Sequence, residues 1–256
     1  QTGETLSDPV KFTQTPIARA VRNRINISDI VEPIAQNSNL QQLALEQIRF
    51  EKELPLLTLM AYSEQEDVID LTKFVDEKGY LNWTAPDGKW TLYAVFQGWH
   101  GKMVERAAPG GEGNVIDHFS AEPLRNYLNH FDIAFKDYDI QSLRAFFNDS
   151  YEVDDARGQS NWTPDLFDEF QTRRGYDLHN HLPDLFAGGE SEKSNRILCD
   201  YRETISELLL EEFTITWDTW AKGKHAITRN QAHGSPANII DLYAASGIPE
   251  TEGEDL

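Results

Sequence analysis

Four short segments collect the side chains that could do chemistry. Gly98-Trp99-His100-Gly101 offers an indole and an imidazole, and Asn148-Asp149-Ser150-Tyr151-Glu152 offers two carboxylates, with Asp154, Asp155 and Arg157 just beyond. Arg229-Asn230-Gln231-Ala232-His233-Gly234 brings amides and a histidine. Ile248-Pro249-Glu250-Thr251-Glu252-Gly253 adds two more carboxylates. Indoles and carboxylates together suit a sugar: an aromatic face stacks on the apolar side of a pyranose ring, and two carboxyls can divide the proton transfers of glycosidic cleavage. Glu152 is the first candidate for the acid. It follows Phe146 and Phe147 directly into a short polar turn, where a carboxyl against a buried wall has its pKa raised. Trp99, His100, Asp149, Asn230 and His233 are candidate sugar contacts. For Asp149 the competing reading is a bond to the backbone of its own turn, and for His233 a structural bond at a strand end. Neither GxxxxGK[ST] nor GxGxxG occurs, so nucleotide binding has no support. His179 and His181 form an HxH pair with no Cys or further His nearby, which argues against zinc.

These segments need strands to carry them. Leu56–Tyr62 is a short apolar run with the pattern of a buried strand. Tyr80–Trp83, a turn at Pro86-Asp87-Gly88 and Lys89–Phe96 read as a hairpin. Residues 17–49 read mainly helical, from the i, i+3, i+4 spacing of Leu40, Leu43, Ala44, Gln47 and Ile48. From residue 115 helices and strands alternate: a helix capped by Ser120, a strand over Leu143–Asn148, and a helix begun by Thr163-Pro164 and closed by Gly175. A long helix runs from Ser194 to Lys222, with Cys199 on its apolar stripe as a buried, inert thiol. A strand over His225–Arg229 follows, then a helix begun by Ser235-Pro236 and ended by Gly247. Such alternation means parallel βα units, whose chemistry sits beyond the carboxyl ends of the strands, where all four segments are expected, the Trp99 segment after the strand ending at Phe96.

Charge narrows the partners. The chain of 256 residues has a formal net charge of -20, and residues 1–50 hold five acids and five bases, so the whole excess lies in 51–256. A surface this negative repels phosphate, which argues against nucleic acid. The longest apolar runs, such as Leu54–Tyr62, fall far short of the roughly 20 residues a bilayer span needs, so no membrane is expected. Most acids on the long helix, such as Glu203, Glu207, Glu211 and Glu212, read as solvated surface. The single cysteine excludes an intramolecular disulfide. The chain opens at Gln1 and stops at Leu256 just after a motif, the expectation being a piece of a longer polypeptide.

Phe147-Asn148-Asp149-Ser150-Tyr151-Glu152-Val153, taken with Trp162-Thr163-Pro164 and Arg173-Arg174-Gly175-Tyr176-Asp177, resembles glycoside hydrolase family 106, the bacterial α-L-rhamnosidases. Gln231-Ala232-His233-Gly234-Ser235-Pro236, Ile248–Gly253 and the Gly79–Trp90 segment are similar to that family too. The resemblance implies an α/β fold: a partial (β/α)8 TIM-like barrel with an inserted β-hairpin region near residues 65–97. Residues 1–50 would be a helical or irregular entry segment, and residues 51–256 a catalytic domain truncated at both ends. It further implies inverting, calcium-assisted hydrolysis of terminal α-L-rhamnosyl linkages in plant polysaccharides, pectin among them, or glycosides. Glu152 would then be the general acid, and Glu252 a second essential carboxylate that holds calcium or helps activate water. Glu250, two residues earlier in an extended segment, would point the same way, either as a calcium ligand with Glu252 or as a plain solvated acid. The remaining domains of the polypeptide would be its partners, and the compartment periplasmic or secreted. Two alternatives stand beside this: a retaining or other-sugar barrel glycosidase, and a carbohydrate-binding domain without turnover.

Overall fold

The computed structural model describes residues 3–20, 47–98, 114–151, 153 and 161–251, with backbone alone for 15–20 and 47–50. By packing, the chain divides into two compact units, Gln1–Val115 and Ile116–Leu256.

The first unit is antiparallel. Strand β1 (Thr13–Ala20) pairs with β2 (Gln47–Glu53). The helix expected over 17–49 is therefore absent from its described ends, and residues 21–46 lie outside the described residues. Ile48-Arg49-Phe50-Glu51 alternates apolar and charged residues, and this period of two prevails over the helical spacing at the segment's end. The apolar β3 (Leu56–Ser63) is a strand as expected and lies between β4 (Val68–Asp70) and β5 (Trp90–Phe96). β5 does not pair with Tyr80–Trp83, as the hairpin reading has it. Asp76 accepts the amides of Lys78 and Tyr80 and turns that segment back, so that Leu81 bridges Val75 instead. β5 is left to cover the second edge of β3, where Leu59, Ala61, Leu71 and Leu81 form the core and Trp83 meets Trp90 edge to face.

The second unit is α/β. Helix α1 (Ala121–Phe135) leads to β6 (Ala145–Asn148); α2 (Leu166–Arg174), α3 (Leu182–Phe186), α4 (Glu192–Leu208) and α5 (Thr216–Gly223) lead to β7 (Ile227–Asn230); α6 (Ile239–Ala244) leads to β8 (Ile248–Pro249). The three strands pair in parallel in the order β6-β7-β8, as the alternation predicts. Among the described residues this sheet is open, and no closed barrel is present.

The long helix is right in extent and wrong in detail. Leu209–Ile215, between α4 and α5, is a π-helix. Thr214 and Thr216 donate their hydroxyls to the carbonyls of Leu209 and Glu211, each five residues back, in step with the wider turn. Its apolar stripe, with Ile205, Leu208, Leu209, Phe213 and Trp217, meets Leu124 and Leu128 of α1 in the core. Cys199 is not on that buried stripe. It is exposed, because the stripe at this height runs through Ile197 and Ile205. Ser120 stands at the N-cap of α1 without capping it, and Glu212 accepts the Ala121 amide instead at 3.1 Å. α2 starts two residues past Pro164, and Gly175 in the left-handed region ends it as expected. α6 starts after Asn238 rather than at Ser235, since the Asn238 side chain accepts the Ile240 amide and supplies the cap.

The acids of the long helix are paired, not merely solvated. Arg173 reaches Glu169 (3.0 Å), Glu207 (3.3 Å) and Glu211 (2.7 Å). Arg174 reaches Glu203 (2.6 Å), Thr204 (3.1 Å) and, closely, Glu207. Burial disfavours the charged form of Arg173, but its bonds to Glu211 and Glu169 outweigh that and hold its pKa above the ordinary value. The next residue of the motif but one, Tyr176, donates to Asp200 at 2.6 Å.

Candidate active site

The site candidates gather where β6 and β7 end. The two strands are in register, with Phe146 beside Thr228, Phe147 beside Arg229 and Asn148 beside Asn230. Alternation sends Phe146 and Thr228 toward the helices: Phe146 packs on Trp220 at 4.6 Å between centroids, and Thr228 donates to Asp218 at 2.8 Å. Phe147 and Arg229 take the other face. Phe147 is 51% exposed there, so it is not the buried wall that the sequence reading makes of it. The Arg229 guanidinium lies 5.0 Å over the Phe147 ring and pairs with Glu250.

At the strand ends, Asn148 donates its side-chain amide to the Asn230 side-chain carbonyl at 3.1 Å, and Asn230 is 2% exposed. The main chain repeats the link, since the Gln231 amide bonds the Asn148 carbonyl (3.1 Å) and the Glu250 amide bonds the Asn230 carbonyl (3.0 Å). Beyond the strands, the Tyr151 amide donates to the His233 carbonyl at 2.6 Å. Ala232 and Gly234 both hold positive φ, 51° and 79°, which folds this loop back onto the β6 turn. Asp149 accepts the Ser150 amide at 2.9 Å, so its carboxylate serves its own turn.

A third element joins this edge from the start of α1. His118 sits with its ring 5.0 Å from Tyr151 and 4.7 Å from Phe213 of the π-helix. Asp117 accepts the Phe119 amide (2.8 Å) and the Thr163 hydroxyl (2.7 Å). Burial, the largest cause, raises the Asp117 pKa; the two hydrogen bonds pull it down, and the Asp165 charge adds to the rise. Trp162 packs on Phe167 at 5.1 Å, as expected of a residue next to a helix start, and Trp217 is core.

The structure thus brings together Asp149, Asn230, His233 and Glu250 of the expected residues. Glu152, Glu252, Trp99 and His100 lie outside the described residues. The sequence names Asn148, Tyr151 and Gly234 only as neighbours of the candidates and gives no sign of Asp117 or His118. Asparagines at the ends of two parallel strands are a readable cue to the first pairing. His118 follows no strand, and its approach to Tyr151 depends on the π-helix beneath it. Among the described residues no group of three or more His, Cys, Asp or Glu could hold a metal ion. His179 instead stacks on Phe167 and bonds Asp177. Glu250 pairs with the Arg229 cation, and Glu252, the other expected calcium ligand, lies outside the described residues.

An α/β unit with parallel strands and a polar edge at their carboxyl ends is the architecture in which enzymes place their sites. The family model described as alpha-L-rhamnosidase matches residues 43–242, and the chain belongs to that family, glycoside hydrolase family 106. It is 30% identical over 166 residues to a Formosa agariphila protein named "Putative beta-glucuronidase", covering 60% of this chain and 13% of that protein. It is also similar to the solved structure of a rhamnosidase from Novosphingobium sp. PP1Y, with a TM-score of 0.57 and 27% identity over 73% of this chain and 19% of that one. The chain therefore spans less than a fifth of the length of either relative.

Proposed function

We propose that this chain is the catalytic region of a glycoside hydrolase that removes terminal α-L-rhamnosyl groups from plant polysaccharides or glycosides with inversion. The observation that carries the reading is that the family match runs through both 148–153 and 230–235, the two segments that the parallel sheet ties together at one edge. Glu152 protonates the leaving oxygen, and Glu252 is the second essential carboxylate. In an inverting enzyme the water-activating base stands about 6.5–9.5 Å from the acid. Substrate contacts come from Trp99, His100 and His233. The domain works within a longer polypeptide, in the periplasm or outside the cell, and folds as part of a (β/α)8 barrel that β6, β7 and β8 begin. Calcium is implied by family resemblance alone, and no step here depends on it.

The test is hydrolysis by the intact protein of an α-L-rhamnoside, with the first-formed anomer read by NMR. Release of β-L-rhamnose supports the reading, and release of the α-anomer assigns a retaining mechanism instead. A second sugar class has a specific warrant in the relative's name, so a β-glucuronide belongs in the same assay. Cleavage of the glucuronide with the rhamnoside untouched overturns the rhamnosidase assignment.

A further inference from the structure

We propose that the Gln231–Ser235 loop clamps the Tyr151 main chain, the residue bonded to Glu152, with Gly234 the residue on which this depends and His118 its support at the Tyr151 ring; this rests on the glycosidase reading above. Gly234 has φ 79°, and a Cβ built on it would stand 2.7 Å from the Tyr151 carbonyl oxygen. That oxygen belongs to the peptide bond leading into Glu152. A main-chain atom cannot swing aside as a side-chain end does, so any side chain at 234 must displace this peptide. On the other side of the same residue, the Tyr151 amide is held by the His233 carbonyl at 2.6 Å. The loop itself is fixed. Ala232 is buried in the core, Tyr243 donates to the Gln231 carbonyl at 2.8 Å, and the Gln231 amide bonds Asn148.

The Tyr151 ring is set by His118, which Phe213 backs. Val153, next after Glu152, is buried. The residues on both sides of the proposed acid are therefore anchored, one by a neighbouring loop and the other by burial. A donor that must meet a glycosidic oxygen gains from such a frame, since proton transfer falls off steeply with misplacement. Gly234 and His118 are positioning residues and touch no reacting atom in this scheme.

The test uses Gly234→Ala in the intact protein. We expect kcat to fall about 10- to 100-fold with KM little changed. The loss is larger on an alkyl rhamnoside, whose leaving group needs the proton, than on the 4-nitrophenyl rhamnoside, whose leaving group does not. Exchange of the Tyr151 amide hydrogen, measured by NMR, becomes faster. Should Gly234→Ala fail to fold, His118→Ala carries the same three readouts, and His118→Phe, which keeps a ring against Tyr151, recovers most of the rate. Unchanged kcat on the alkyl substrate, or an equal loss on both leaving groups, overturns the proposal. If the wild type cleaves no rhamnoside, or Glu152→Gln keeps the wild-type rate, the functional reading falls instead, while Tyr151 exchange still reports whether Gly234 clamps the turn.

Discussion

Two parts of the second unit share family-like motifs and are held in opposite ways. The Arg173-Arg174 motif is a charge clamp: two guanidiniums on α2 engage Glu169, Glu203, Glu207 and Glu211. The edge where β6 and β7 end is tied mainly by neutral groups, an Asn148–Asn230 amide bond and main-chain bonds between loops, with the Arg229–Glu250 ion pair beside them. The difference has a physical basis. A clamp on the outside of a helix pair can use charge because its carboxylates stay partly in water. A site whose acid must change protonation is better framed by groups that do not titrate, since a fixed neighbouring charge would bias its pKa. Part of the net charge of -20 thus goes into holding helices together, through Glu169, Glu203, Glu207 and Glu211.

The largest expected effect belongs to the edge. Glu152→Gln lowers kcat by about a hundred- to ten-thousand-fold on a poor leaving group, and the midpoint of urea unfolding stays near that of the wild type. A variant that unfolds early while its surviving fraction remains active would place Glu152 with the stabilising acids and erase the distinction. The clamp should behave in reverse. Arg174 has only 11% of its side chain exposed, so Arg174→Met, which keeps the stem and removes the charge, takes one bond from each of three partners. We expect a loss of about 2 kcal/mol in unfolding free energy, discounted for the exposure of Glu203 and Glu207, with kcat little changed. A stability loss that vanishes would make the clamp an ordinary surface ion pair.

Asn230→Ala sharpens the comparison because it removes a neutral bond rather than a charge. The half-buried amide pair contributes about 1 kcal/mol, and its loss also loosens the strand end from which the 231–235 loop departs. Both unfolding and turnover should therefore move, by less than either change above. A variant that alters neither would mean that the main-chain bonds hold this edge without the amides.

How much of this is legible in sequence depends on the range of the interaction. Helix ends marked by Gly175, and the strand at Leu56–Ser63, follow from local periodicity and turn chemistry, and they are found. The partner of β5 is not. Asp76 closes a turn through its own side chain, and nothing local distinguishes that from the expected hairpin. Glu203, Glu207 and Glu211 are solvated on a helical wheel and become paired only because α2 brings Arg173 and Arg174 alongside. The parallel order of β6, β7 and β8 is readable from alternation, and with it the loops that gather at one edge. His118 and Gly234 act at that edge through contacts 33 and 83 positions away in sequence, with Tyr151, and no spacing rule reaches so far.

Asp117 is a buried titrating group beside that edge, and it gives the finest test. Its carboxyl accepts Thr163 and Phe119 in a buried setting, and burial holds its pKa above the value of 3.8 it has in the open chain. The folded protein therefore binds this proton more tightly than the unfolded chain does. Asp117 contributes stability that is fully present below pH 3.8 and is lost as pH rises through its folded pKa. Asp117→Asn keeps an acceptor for the Phe119 amide and an amide that the Thr163 oxygen can accept, but it does not ionise. The difference in unfolding free energy between variant and wild type, followed by urea titration from pH 3 to neutrality, isolates this one group because every other titrating residue is common to both. We expect the variant to gain on the wild type as pH rises above about 4 and the gain to level off near neutrality. A difference that is flat across this range would mean that Asp117 titrates in the folded protein as it does in the unfolded chain. Burial would then cost the Asp117 carboxylate no more than its bonds to Thr163 and Phe119 return.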